Sequence, residues 1–441
     1  MIERIEDKGY WYLPEKPDET IAGILTYTPN ESISLELIGS FGNEKNSFEA
    51  LFNNKKEKVI YGITADAKKI TLINCHSSGS RNFSCPFSII KYNCQYLIRG
   101  KHILSLKEPS FFKADVSFPL LTYWCYPEAL RNVSYFNKEE KFSTITISFD
   151  AYDEAKNTIN VIQIDNNTEL YLTKGINYSG SDFFLTPKLE QYTSLEIHKQ
   201  DDSSIEDYLS IIFPYEQFLS LATLEVAQCS KIRLYDRNQF QQLKNGEKIY
   251  HKIELIYVQH EPNSVPRKIK PHNFLFDYHT IEEQYPYIIR KWCTESEDIA
   301  PIRTHLIESI KNKTFFSSID FLIVIQALEG FCTRFRKEDA LSNMLNSVIL
   351  EFSGIDKIKI DNICIQEVID SRNYYSHFME RVKKKHILDG VELYVLTHKL
   401  RKLLICCLLQ FIGFDNSQIN VILNNSNSSL LASSKIFEES E

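Results

Sequence analysis

Apolar and polar residues alternate with a period of two through much of the first 200 positions. The clearest runs are 20–28 (TIAGILTYT), 32–39 (SISLELIG), 144–150 (TITISFD), 158–164 (TINVIQI) and 169–174 (ELYLTK). Such alternation places successive side chains on opposite faces of a pleated strand, so each run predicts a half-buried strand. Turn-forming residues such as Pro29-Asn30 and Asp165-Asn166-Asn167 connect them, and no helical periods intervene as a parallel βαβ sheet would require. The pattern therefore predicts a sandwich or barrel and excludes a doubly wound nucleotide-binding sheet. Between Ile205 and Ala227 the period turns helical, with an interruption expected at Pro214, and a strand returns over 248–258. Residues 261–273 hold three prolines and four basic residues and read as a linker. From about Thr280 onward the patterns are helical, ending in the apolar run Leu403–Phe414. The fold class expected is an α+β multidomain chain, an N-terminal β-rich sandwich or barrel-like region followed by an all-α helical bundle.

Composition narrows the function classes. At 441 residues, with 43% hydrophobic and 24% charged residues, the chain is long enough for two or three cores and too apolar for wholesale disorder. A net charge of −8 argues against a general basic coat for nucleic acid, though not against a local basic patch. The segment MIERIEDKGYWYLP lacks the apolar stretch of a secretion signal, and Leu403–Phe414 is about half the length needed to span a bilayer. A cytoplasmic chain with no membrane partner is the expectation. The ten cysteines have no disulfide-scaffold spacing, and Cys75, His76, Cys85 and Cys94 lack the paired C-x-x-C of a zinc knuckle. Neither a metal nor a cofactor is expected.

The chemistry-bearing segment is Asp370-Ser371-Arg372-Asn373-Tyr374-Tyr375-Ser376-His377-Phe378, which follows the apolar positions Ile363, Ile365, Val368 and Ile369. Arg and His separated by four residues recur at Arg267/His272 and Arg381/His386, so the spacing alone discriminates little. The other two pairs lie in the proline-rich linker and in the basic run RVKKKH. Arg372 differs in being followed by Asn373 and in lying on a helix apolar enough to face a bundle.

At these residues the chain resembles the HEPN domains, whose ribonuclease members carry R-x4-6-H with a polar residue, often Asn, after the Arg. The resemblance extends to the ApeA-like anti-phage proteins, which join a β-rich N-terminal domain to a C-terminal HEPN bundle. It rests on YWYLPEKPDETIAGILTY, SISLELIGSF, VIYGITADAKKITLINC and VSFPLLTYW in the first half, and on FLIVIQALEGFCTRF and SRNYYSH in the second. It implies a regulatory or sensing domain over 1–280, a HEPN ribonuclease domain over 281–423 and a flexible tail over 424–441. It also implies abortive-infection defence by an endoribonuclease held inactive until a phage-derived trigger arrives. tRNA is a common target among such toxins, and homodimers or higher even oligomers form through the HEPN domain.

Residue chemistry fits that implication independently. His377 can exchange protons near neutral pH, while Arg372 offers a fixed fork to phosphate oxygens. Together with Asn373 they form the expected catalytic set for metal-independent cleavage by the RNA's own 2′-OH. Residues five apart on an α-helix are rotated by about 140°, so Arg372 and His377 do not share a face. Either the helix ends near Ser376 and returns His377 to Arg372, or a second chain completes the site; the dimers implied by the resemblance favour the second. Glu329, a carboxylate on an otherwise apolar stripe, is expected to hold Arg372, with Arg334 and Arg336 as competing partners. Residues 371–402 carry eight Lys/Arg against three acids, a net of +5. Lys383, Lys384 and Lys385 are therefore expected to hold the RNA backbone, and Tyr374 or Tyr375 to stack on a base or join the core. The alternative reading is a non-catalytic RNA- or ligand-binding regulator that uses the bundle for dimerisation.

Overall fold

The computed structural model describes residues 4–41, 56–80, 89–126, 130–136, 142–149, 157–179, 188–259, 269–294, 296–311, 317–378, 380 and 386–431. Its first part is a closed six-stranded barrel of β1 (Ile5–Tyr12), β2 (Ile21–Thr28), β3 (Ser32–Ile38), β4 (Lys56–Thr64), β5 (Lys69–Ser80) and β6 (Ile89–Cys94). The strands pair antiparallel in the ring order β1-β2-β3-β6-β5-β4, and β4 returns to β1. Closure removes the exposed edges that an open sheet of this length would present. The inward positions of the alternating runs fill the barrel, among them Trp11, Leu25, Leu35, Leu72 and Tyr92. Trp11 lies so close to Gly62, its register partner on β4, that a Cβ there would stand 2.4 Å from the ring.

The same sheet continues from β5 into β7 (Tyr96–Arg99) and onward to β8 (Phe111–Ser117). Helix α1 (Pro119–Cys125) follows β8, with the proline at its first turn and Trp124 fully buried. A two-stranded ribbon of β9 (Leu130–Phe136) and β10 (Phe142–Phe149) stands apart. Strands β11 (Thr158–Asp165), β12 (Thr168–Ser179) and β13 (Lys188–Ser203) complete the far side, so the order runs β11-β12-β13-β8.

Helix α2 (Ile205–Thr223) begins with a reciprocal capping box between Ser204 and Asp207 and packs its aromatic face on this sheet. It runs through Pro214, correcting the interruption expected there. Burial of Pro214, Tyr215, Phe218 and Leu219 offsets the cost of about 3 kcal/mol that a mid-helix proline carries. The strand expected over 248–258 is two strands. After β14 (Lys231–Tyr235) and β15 (Phe240–Gln242), β16 (Lys248–Tyr250) pairs with β15 as a small hairpin, and β17 (Ile253–Tyr257) joins β14 to β7.

The helical half comprises α3 (Tyr278–Ile281), α4 (Tyr285–Thr294), α5 (Ser296–Lys311), α6 (Ser318–Phe331), α7 (Leu341–Glu351), α8 (Asp356–Lys359), α9 (Ile365–His377), α10 (Gly390–Phe411) and α11 (Asn416–Asn425). Helix α10 is its centre, buried along nearly its whole length, which is why Leu403–Phe414 is so apolar. One apolar core passes from the sheet through α2 into the bundle. Polar bonds follow it: Tyr215 and Tyr285 share a hydroxyl bond of 2.7 Å, and Trp292 Nε1 donates to the Pro214 carbonyl.

The sequence predicts a flexible tail over 424–441, and over 424–431 the structure differs. Leu430 and Leu431 are buried, Ser426 Oγ donates to the Asn273 carbonyl, and His398 Nε2 meets the Ser429 carbonyl at 3.0 Å. The polar composition of NNSNSSLL concealed two leucines that seal the base of α10. Among the described residues no helix is long and apolar enough to cross a membrane.

Candidate active site

Helix α9 packs on α6 and α7, burying Val368, Asp370 and Ser371. Two bonds tie the segment preceding α10 back to it. Ser371 Oγ accepts from the Leu388 amide at 3.0 Å, and Tyr375 OH donates to the Leu388 carbonyl at 3.0 Å. The helix ends at His377 because Phe378 takes a left-handed conformation, φ 50° and ψ 40°.

That termination resolves the facing problem posed by the spacing. Arg372 Nη1 lies 3.0 Å from His377 Nε2 within the same chain, so the helix-end arrangement brings the pair together without a second copy. The same Nη1 donates to Asn373 Oδ1 at 3.3 Å. Arginine has only donors, so in this contact Nε2 is the acceptor and the imidazole proton sits on Nδ1.

The other edge of the guanidinium faces Glu329 on α6. Arg372 Nη2 donates to Oε2 at 3.3 Å, and Nε stands 3.1 Å from Oε1, an ion-pair approach whose angle falls short of a hydrogen bond. The competing arginines are engaged elsewhere. Arg334 donates to the Asp298 carbonyl, while Arg336 pairs with Glu351 and reaches Ser347 Oγ. Both lie on a short π-helical segment, Cys332–Arg336, that follows α6. With side-chain exposures of 28% for Arg372 and 21% for Glu329, the pair is partly shielded from salt, while His377 is exposed. The result is a guanidinium fork held by a carboxylate and set against an exposed imidazole.

The expected basic surface needs correction. Arg401 and Lys402, counted in the net of +5, are fully buried: Arg401 pairs with Asp320 at 2.5 Å and donates to Ser309 Oγ, and Lys402 pairs with Asp361 at 2.6 Å. They serve the core of α10 and offer nothing to solvent. Lys399 donates to the Asn362 carbonyl at the surface. Lys383, Lys384, Lys385 and Arg381 lie outside the described residues. Tyr374 is half-buried and packs edge-on against Tyr375, whose ring also meets Phe321 at 6.3 Å, so Tyr375 belongs to the packing between helices. His386 is exposed, and His272 lies on the linker side, where its carbonyl accepts from Asn427.

Sequence reasoning missed Ser371, Leu388 and Phe378 as parts of the site's frame. None of the three carries a local signal for that role. Among the described residues no three His, Cys, Asp or Glu side chains gather as a metal site.

Comparison with known families returns two matches. ApeA N-terminal domain 1 matches residues 6–292, and Apea-like HEPN matches residues 322–418. The first spans the barrel, the extended sheet and the helices through α4; the second contains Glu329, Arg372, Asn373 and His377. No curated protein and no solved structure matches the chain.

Proposed function

The chain belongs to the ApeA family, and from that premise we propose that it is an anti-phage endoribonuclease whose site is Arg372, Asn373 and His377. The observation carrying the proposal is the 3.0 Å approach of Arg372 Nη1 to His377 Nε2 at a helix end, with Glu329 holding the other edge of the guanidinium. This arrangement supplies both requirements of transesterification by a ribose 2′-OH. A substrate phosphate enters between the two groups and takes Nη1, which releases the Nε2 lone pair. His377 Nε2 accepts the 2′-OH proton, and the oxygen attacks the adjacent phosphorus. The bond to the 5′-oxygen then breaks, that oxygen takes a proton from water, the His377 imidazolium returns its own proton to solvent, and a 2′,3′-cyclic phosphate remains. Arg372 stabilises the extra negative charge on the phosphoryl oxygens. DNA lacks the nucleophile and is spared.

Base and anion clamp both come from side chains, so the cleavage is metal-independent. The large N-terminal domain is the place where a phage-derived trigger acts, and its apolar continuity with the bundle gives a route for that signal. HEPN domains commonly dimerise, and a cytoplasmic homodimer, or a higher even oligomer, is the proposed working form. The catalytic pair itself is complete in one chain. RNA is the substrate class, with tRNA a candidate within it.

The test is substitution. Arg372→Ala and His377→Ala should each lower RNA cleavage or phage-dependent toxicity at least about 10²-fold while the chain stays folded. Wild-type cleavage in either folded variant overturns the assignment of this site, whereas a wild-type chain that binds RNA without cutting it under phage challenge is a non-catalytic regulator.

A further inference from the structure

Phe378 carries two costs that its surroundings among the described residues do not repay. Its side chain is 90% exposed, the most exposed large hydrophobic among the described residues, and its backbone is left-handed at φ 50°. Glycine is the ordinary residue at that position after a helix, and a bulky side chain there is strained. The conformation ends α9 and returns His377 to Arg372, but glycine would do that more readily. Among the described residues the ring has no packing role.

We propose that Phe378 is a stacking platform for an unpaired nucleobase beside the scissile phosphate, and that it restricts the enzyme to single-stranded or looped RNA. This rests on the ribonuclease reading above. The site next door fixes what can reach the ring: Arg372 and His377 seat a phosphate and the ribose attached to it. Phe378 is the residue directly after His377, so the flat apolar surface arriving with that ribose is its base. A base inside a duplex has both faces covered by its neighbours, so it cannot offer one to the ring without unstacking. Stacking on an aromatic ring tolerates any base, so the platform selects strandedness and not sequence. Tyr374 is unsuited to the same task, being half-buried against Tyr375.

The test uses the full chain in a His377→Ala background, which binds without cutting. A short unpaired RNA carrying 2-aminopurine at successive positions is titrated, and the same sequence as a duplex serves as control. The proposal predicts fluorescence quenching at one position, tighter binding of the unpaired form, and loss of both in Phe378→Ala with affinity falling roughly five- to 150-fold. Phe378→Trp should keep the quenching. Phe378→Gly should stabilise the helix end yet bind as weakly as the alanine variant, which a purely structural role would not produce. Equal affinity and quenching with and without the ring overturns the platform while leaving the ribonuclease reading intact. A change of oligomeric state in Phe378→Ala, read by light scattering, overturns it in favour of a contact between copies of the chain. Absence of RNA binding by the chain with Phe378 intact overturns both.

Discussion

His398 gives the bundle a pH dependence whose size follows from its surroundings. It lies on α10 at 1% exposure, and its Nε2–H donates to the Ser429 carbonyl at 3.0 Å. Burial is the main force against protonation, and the neighbouring cations Arg401 and Lys402 add to it. The bond to Ser429 acts the other way, and the group is held down to about 4 from an ordinary 6.5. A folded value below the unfolded one means that the unfolded chain binds the proton first. The associated stability is therefore full above pH 6.5 and is lost as pH falls through about 4. At about 1.4 kcal/mol per unit, the loss between pH 7.5 and 5 is about 2 kcal/mol, reaching about 3 kcal/mol near pH 4. His398→Gln keeps a donor for Ser429 but cannot titrate. Stability is best read locally, as hydrogen-exchange protection of residues 393–411 at each pH, because the two halves need not unfold as one unit. Relative to the glutamine variant, the wild-type chain should lose about 2 kcal/mol of protection from pH 7.5 to 5. Parallel losses in the two proteins would show that His398 is not the source of the pH dependence.

Three further outcomes follow from the same structure. Asp320→Ala leaves Arg401 buried and uncompensated, so denaturant unfolding of the bundle should show a loss of about 3–5 kcal/mol, whereas replacing both partners by apolar residues should cost much less. Glu329→Gln removes the charge holding Arg372, and kcat should fall about tenfold or more with the fold unchanged by circular dichroism, since misplacement of a catalytic group is costly. Replacing Lys383, Lys384 and Lys385 by alanine should flatten the slope of log K against log salt for single-stranded RNA by roughly 2, at about 0.7 per phosphate contact. An unchanged slope would remove those lysines from the RNA surface.

The strands were legible wherever one face is buried: TIAGILTYT and SISLELIG became β2 and β3 nearly residue for residue, because alternation is itself the consequence of having an inside and an outside. Closure of the barrel was not legible. It depends on β6 pairing with both β3 and β5, a matter of register between distant segments. The Arg372–His377 pair was visible as a motif, but its geometry was decided by the left-handed turn at Phe378, which no local preference for a phenylalanine announces. Charge counting failed at Arg401 and Lys402 for a related reason. Their partners, Asp320 and Asp361, lie far away in the chain, so the residues read as surface cations until the fold brings the carboxylates to them. The docked segment 424–431 was missed because Ser and Asn outnumber its two buried leucines.

Cleavage of RNA by its own 2′-OH at this site, as proposed, is recorded in the chemistry of the ends it leaves. RNA is taken from phage-challenged cells carrying the wild-type or the His377→Ala chain, and new termini are mapped by ligation chemistries that separate 2′,3′-cyclic phosphate with 5′-hydroxyl from 3′-hydroxyl with 5′-phosphate. Cyclic-phosphate and 5′-hydroxyl ends are expected with the wild-type chain and should be absent with His377→Ala. New 5′-phosphate ends that persist without His377 would contradict cleavage by the 2′-OH.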